Sequence, residues 1–142
     1  RVRALRLGFE TIKEAAGKDV LIASAITQLS PLVGLVDYCR VGLDTLNPFV
    51  CKVPFLNKLI NEYMLKENIR NCETRNFLHN KAWVNDPDCM IFRVGTGINK
   101  ELVEKHRNFL RESSSTLWVG DNIKKLSKDE KLELIEFFNN IQ

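Results

Sequence analysis

Tyr38-Cys39-Arg40-Val41-Gly42-Leu43-Asp44-Thr45 opens as a short mixed apolar run and breaks into a polar loop. Residues 48 and 54 of the following stretch are prolines, and only then does a helical pattern resume. The same grammar recurs at Ala82-Trp83-Val84, which runs into Asn85-Asp86-Pro87-Asp88-Cys89, and again at Thr116-Leu117-Trp118-Val119, which runs into Gly120-Asp121. An earlier run, Val20-Leu21-Ile22-Ala23 after Asp19, is the first of the set. Short runs of this kind read as buried strands.

Helical periodicity fills the spaces between them. Leu5, Phe9, Ile12 and Ala16 recur at helical spacing, with Gly17 as a stop. Ser30-Pro31 opens a short helical stretch through Val36. Leu56, Leu59, Ile60, Tyr63 and Met64 share one face of a strong helix, and helical character continues through Ile69 and Cys72 to about Leu78. Asn99 is placed to cap a helix with Leu102, Val103, His106, Phe109 and Leu110 on its apolar face. Ser127 and Glu130 form a capping-box pattern for a last helix bearing Leu132, Ile135 and Phe138. The order is one helix and then four strand–helix units, which predicts an α/β fold with a parallel sheet over residues 1–142 as one domain. Four units fit a small open sheet or half of a (β/α)8 barrel.

The bulk numbers narrow the function classes. The chain has 142 residues, 44% hydrophobic and 27% charged, with a net charge of +3 spread along its length. No block of like charge or basic run interleaved with aromatics points to nucleic acid or an anionic membrane surface. No apolar run approaches the ~20 residues of a membrane span. No signal-like segment stands at the start, which places the chain in the cytoplasm, although Arg1 already reads as mid-helix and the natural N-terminus is expected further upstream. Cys39, Cys51, Cys72 and Cys89 form no CxxC pair and read as reduced thiols in apolar surroundings.

In a parallel α/β fold, ligands bind at the C-terminal ends of strands. There the sequence sets Arg40, Gly42 and Asp44, then Asn85, Asp86 and Asp88, then Gly120 and Asp121. Arg40 and Asp44 are spaced to face one mouth. Such a rim suits glycoside hydrolysis, which needs two carboxyl groups. Asp86 and Asp88 also have the spacing of a Mg²⁺ or Ca²⁺ fragment, or of a hydrogen-bonded turn, and spacing does not choose among these. His106, on an apolar face, reads as a packed histidine, and His79 as a helix-end residue. Trp83 reads as core. Trp118 suits either sugar stacking or barrel packing. Val94-Gly95-Thr96-Gly97 lacks the GK[ST] ending of a phosphate loop.

Arg40-Val41-Gly42-Leu43-Asp44-Thr45 resembles the R-[IV]-G-x-D-T motif of the α-galactosidases of glycoside hydrolase family 36. Trp83-Val84-Asn85-Asp86-Pro87-Asp88-Cys89 resembles that family's W-x-N-D-P-D-C motif. Gly8-Phe9-Glu10-Thr11-Ile12 is similar to the helix after its nucleophile strand, and Arg70-Asn71, Arg75, Phe77 and His79 are similar to its R-N…R-x-F-x-H pattern. The similarity runs from about Leu5 to Asp121. It implies the C-terminal half of a (β/α)8 barrel, strands five to eight preceded by helix four. It implies a retaining exo-glycosidase acting on α-galactosides without metal or organic cofactor. Asp44 matches the general acid/base, Arg40 matches the arginine that hydrogen-bonds the sugar, and Asp86 and Asp88 match residues supporting the sugar site.

The chain departs from the family in two respects. The family's nucleophile, an Asp in a K-x-D motif on strand four, is not in this sequence. The segment Ala23-Ser24-Ala25-Ile26-Thr27-Gln28 also lacks the cysteine of the family's C-x-S-P element. The implied partners are therefore the sugar and either the N-terminal half of the barrel or a second copy of this chain. The competing expectation is a non-catalytic half-barrel that binds sugar or serves in assembly.

Overall fold

The computed structural model describes residues 1–25, 28–46, 53–93, 95, 97–113 and 116–140. Its helices are α1 (Val2–Ala16), α2 (Pro54–Thr74), α3 (Lys100–Glu112) and α4 (Lys128–Asn139). Its strands are β1 (Ala23–Ser24), β2 (Tyr38–Arg40), β3 (Val84–Asp86), β4 (Cys89–Met90) and β5 (Trp118–Val119). Every pairing among these strands is parallel: β1 with β2, β2 with β3, and β4 with β5. Strand neighbours follow chain order, as expected when each connection carries a helix back over the sheet.

The third sequence strand differs from its expected form. It begins at Val84 rather than Ala82 and divides into β3 and β4 around Pro87-Asp88. Proline cannot donate to a ladder, and Asp88 adopts a left-handed backbone with φ 76. The first half pairs with β2 and the second with β5. The amide and hydroxyl of Thr116 both donate to Asn85 O at 3.2 Å and bridge the join. Of the first expected strand, Val20–Ala23, only Ala23 lies in the ladder, which continues into Ser24; Val20 and Leu21 are exposed.

Alternation decides what each strand buries. Ser24, Cys39 and Asn85 lie in register across β1, β2 and β3, and all three are buried. Registered residues of parallel strands share a face. Ile22, Leu32, Val36, Cys39 and Trp83 form the core on that side, with Phe9 of α1 against it. A second core joins Met90 and Phe92 to Leu110 of α3 and Phe137 of α4. Burying a side chain of this size contributes roughly 1.5–3 kcal/mol. The opposite face carries Ala23, Tyr38, Val84 and Trp118, with no helix over it among the described residues: Leu21 is 68% exposed and Trp118 56%. Leu21, Ala23, Tyr38 and Trp118, together with Asp86 and Thr116, line a depression of about 480 Å3.

Two helices turn a different face inward from the one their apolar periodicity selects. In α2, Leu56, Leu59 and Tyr63 are exposed, and Asn61, Leu65, Asn68, Ile69 and Cys72 are buried. The buried stripe contains two asparagines: Asn68 donates to loop carbonyl groups that need donors, and Asn61 donates to Asn57 O one turn back in the same helix. In α4, Leu132, Ile135 and Phe138 are exposed while Phe137 is buried. Phe137 meets Phe92 edge to face at 5.6 Å, and Arg107 holds Glu133 at 2.7 Å, which fixes the helix rotation. The expected caps are present: Asn99 Oδ1 accepts from Glu101 N, and Ser127 and Glu130 make a complete capping box. Among the described residues no helix is long and apolar enough to cross a membrane.

Candidate functional site

Arg40 ends β2 and Asp86 ends β3, and the two are register partners. That placement brings Arg40 Nε to 3.1 Å from Asp86 Oδ2. The left-handed turn at Asp88 returns its carboxylate to the same guanidinium, with Oδ1 3.0 Å from Arg40 Nη2. Asp44, four residues beyond Arg40, stands 3.5 Å from Nη1. All four expected site residues therefore converge at the C-terminal ends of two adjacent parallel strands, on the uncovered side of the sheet.

Their roles differ by burial and by what else they touch. Asp86 Oδ1 accepts from the Asp88 amide at 2.9 Å, and Asp88 Oδ2 accepts from the Thr45 amide at 2.7 Å. Both carboxylates are thus committed to Arg40 and to the backbone, and they tie the loop after β2 to the loop after β3. Asp44 is 62% exposed and has no such backbone contact among the described residues, so it is the carboxylate presented to solvent. Burial alone would lower the Arg40 pKa, but Asp88, Asp86 and Asp44 around it hold it above the ordinary arginine value. The guanidinium fills the position a divalent cation would take between these carboxylates. Among the described residues no group of three or more His, Cys, Asp or Glu is arranged to hold a metal.

The wall behind the rim is a buried polar layer. Asn68 of α2 donates through Nδ2 to Leu43 O and, at 2.8 Å, to Pro87 O. Arg75 donates to Val41 O. Asn85 accepts from Trp83 Nε1 at 3.1 Å and donates to Arg75 O at 3.2 Å, while its own amide donates to His79 Nδ1 at 3.1 Å. Trp83 is therefore core, and His79 serves the backbone at the foot of β3. Asp121 turns away from the rim: it is buried, accepts from Phe92 N and Arg93 N, and pairs with Arg93 Nε at 3.3 Å.

Asn68 was not among the residues that sequence reasoning selected. A polar residue within a helix reads as solvent-facing, and only its position three after Leu65 and four before Cys72 marks the inner stripe. Gly42 records how closely Asn68 approaches. A Cβ there would lie 2.5 Å from Asn68 Nδ2 and 3.0 Å from Cys72 Sγ. Asn68 is pinned by its own hydrogen bonds and cannot yield, so Gly42→Ala is expected to cost ~1–3 kcal/mol. Urea denaturation measures this, and a loss below ~0.5 kcal/mol would show that the approach is soft.

Three of the cysteines, Cys39, Cys72 and Cys89, are free thiols held in their protonated form by burial. Burial pushes the thiols up, Cys39 to about 11, Cys72 to about 12 and Cys89 to about 11, with Asp86 adding to Cys39 and Asp88 to Cys89. Near pH ~8 each should alkylate ~100-fold or more slowly than an ordinary thiol, because the thiolate is the reactive form. Mass mapping of iodoacetamide-treated native chain gives the rates, and ordinary thiol reactivity at Cys39 would contradict the burial. Cys51 lies outside the described residues, as do Val94 and Thr96 of the glycine-containing stretch and Ile26 and Thr27 after β1. A separate cleft of about 270 Å3 beside the start of α3 is lined by Arg93, Lys100 and Arg107 but also by Glu104 and Glu133. Two of its cations are held by carboxylates, Arg107 by Glu133 and Arg93 by Asp121.

No family model matches the chain.

Proposed function

We propose that the chain is the C-terminal half of a (β/α)8 barrel, contributing strands five to eight and the preceding helix to a retaining exo-glycosidase that releases terminal α-galactosyl groups. The observation that carries this reading is the convergence of Arg40, Asp44, Asp86 and Asp88. They come from two stretches some 46 residues apart and meet at the C-terminal ends of parallel strands. The uncovered sheet face supports it. Parallel sheets occur almost only with both faces covered, and in a barrel the inner face is filled by side chains from the other strands. Leu21, Tyr38 and Trp118 would then be interior residues awaiting the N-terminal half or, failing that, a second copy.

In this reading Asp44 is the general acid/base. A carboxylate supplied from outside these 142 residues attacks the anomeric carbon as the glycosidic C–O bond breaks, and Asp44 gives its proton to the leaving oxygen. Water then attacks the glycosyl-enzyme, Asp44 takes a proton from that water, and the nucleophile carboxylate leaves. Acid work requires Asp44 to carry a proton before the first step. The burial and the second carboxylate that favour it belong to the rest of the barrel. Arg40 contacts the sugar with whichever N–H Asp44 releases, while Asp86 and Asp88 orient Arg40. No metal or organic cofactor enters these steps. The test is hydrolysis of a nitrophenyl α-galactoside by the complete barrel and by its Asp44→Asn variant. A complete protein that binds galactose without turning over any galactoside would instead be the non-catalytic sugar-binding or assembly module.

A further inference from the structure

We infer that Asn68 and His106 are positioning residues that lock the Asp44-bearing loop to the Asp86–Asp88 loop. Asn68 lies on α2 and His106 on α3, and they are 0% and 1% exposed. The Asn68 amide has two protons on Nδ2. One goes to Leu43 O, immediately before Asp44, and the other to Pro87 O, between Asp86 and Asp88. A single planar group therefore spans both loops behind the rim. Its orientation is set from the other side. Asn68 Oδ1 lies 3.2 Å from His106 Nε2 and 3.6 Å from Cys72 Sγ. Since Oδ1 only accepts, His106 must present Nε2–H to it. Turning the amide over would set an acceptor against two carbonyl groups and two donors against the donating imidazole and thiol. The network thus has one consistent proton arrangement. A fully satisfied buried network of this kind specifies a unique geometry. His106 itself stays neutral, since burial lowers its pKa to about 4.

The inference rests on the proposed acid/base role only for its consequence in catalysis; the positioning itself does not depend on it. The reporters are the amide of Thr45, which donates across the two loops to Asp88 Oδ2, and the amide of Asp88, which closes its own loop by donating to Asp86 Oδ1. On the full chain, Asn68→Leu and His106→Leu are expected to raise hydrogen exchange of these two amides by roughly tenfold or more. The amides of Asp37 and Val84, hydrogen-bonded at the opposite ends of the same strands, should hold their protection. His106→Gln, which keeps a donor, should restore slow exchange where His106→Leu does not, an outcome that mere filling of space would not give. Equal exchange at all four amides in every variant overturns the inference. Should the leucine variants fail to fold, the unmutated chain still decides: long-range ¹⁵N–¹H spectra must show the Nε2–H tautomer of His106, and the Nδ1–H tautomer overturns it. In the complete enzyme the leucine variants should lower kcat with little change in KM. If Asp44→Asn leaves activity intact while the exchange results hold, the glycosidase reading fails and the positioning role stands.

Discussion

In the complete barrel, Asp44→Asn should lower kcat/KM for an alkyl or sugar α-galactoside by roughly 10²–10⁴-fold, the usual contribution of a positioned acid/base. The effect should shrink for a nitrophenyl galactoside, because a nitrophenolate departs without a proton and only the return step still needs the base. Azide, which attacks the glycosyl-enzyme without base assistance, should restore turnover and yield a glycosyl azide of retained configuration. This pattern belongs to an acid/base and not to a residue that only holds the fold. Asp44 is also the rim residue whose replacement disturbs least else: it is 62% exposed and its one close partner among the described residues is Arg40 at 3.5 Å. An exposed pair at that distance is worth about 0–1 kcal/mol, so the variant should melt within a few degrees of the parent. Full activity on alkyl galactosides after Asp44→Asn would remove the assignment.

Arg40→Met should be the most destabilising single change at the rim. Asp86 and Asp88 are only 17% and 15% exposed, and Arg40, at 21%, meets each through a different nitrogen. Methionine keeps most of the stem and deletes the guanidinium, leaving two carboxylates close together and largely out of water. Stripping one partner from a fully buried pair costs ~3–5 kcal/mol. The residual solvent contact here brings the expectation to about 2–4 kcal/mol, or a melting temperature lower by roughly 6–12 °C. Arg40→Lys should recover only part of this, since an ammonium cannot address Asp86 and Asp88 through a planar fork. Calorimetry of the single variants and of Arg40→Met with Asp86→Asn closes a double-mutant cycle. Additive losses in that cycle would mean that the pair does not couple and that the rim is held by its backbone contacts alone.

Much of this architecture is legible before any coordinates. Strand-and-loop alternation at residues 38–45, 82–89 and 116–121 places the parallel strands and their C-terminal ends, because buried strands and the polar loops that follow them differ sharply in composition. The caps at Asn99 and Ser127 are legible for the same reason: their chemistry is local. Other features turn on long-range packing. Apolar periodicity selects Leu56, Leu59 and Tyr63 in α2, yet the inward stripe carries Asn61 and Asn68, and the burial of Asn68 is favourable because loop carbonyls await it. In α4 both faces are apolar, and the contact of Phe137 with Phe92 decides between them. Pro87 hints that the third strand is interrupted, but that its halves serve different neighbours depends on where β5 lies. The site residues themselves stand out as Arg and Asp at strand ends. Their division of labour, with Asp86 and Asp88 holding Arg40 while Asp44 faces solvent, requires the left-handed turn at Asp88, which no residue type announces.

The central claim is that these strands complete a retaining glycosidase whose nucleophile lies elsewhere. An activated fluorinated galactoside, which arrests turnover at the glycosyl-enzyme, tests it most directly when applied to the complete protein and followed by peptide mass mapping. The account predicts one added sugar on an Asp or Glu outside residues 1–142, with the peptides carrying Asp44, Asp86 and Asp88 unmodified. A sugar attached to Asp44, or turnover that inverts the anomeric centre without a covalent intermediate, would contradict it.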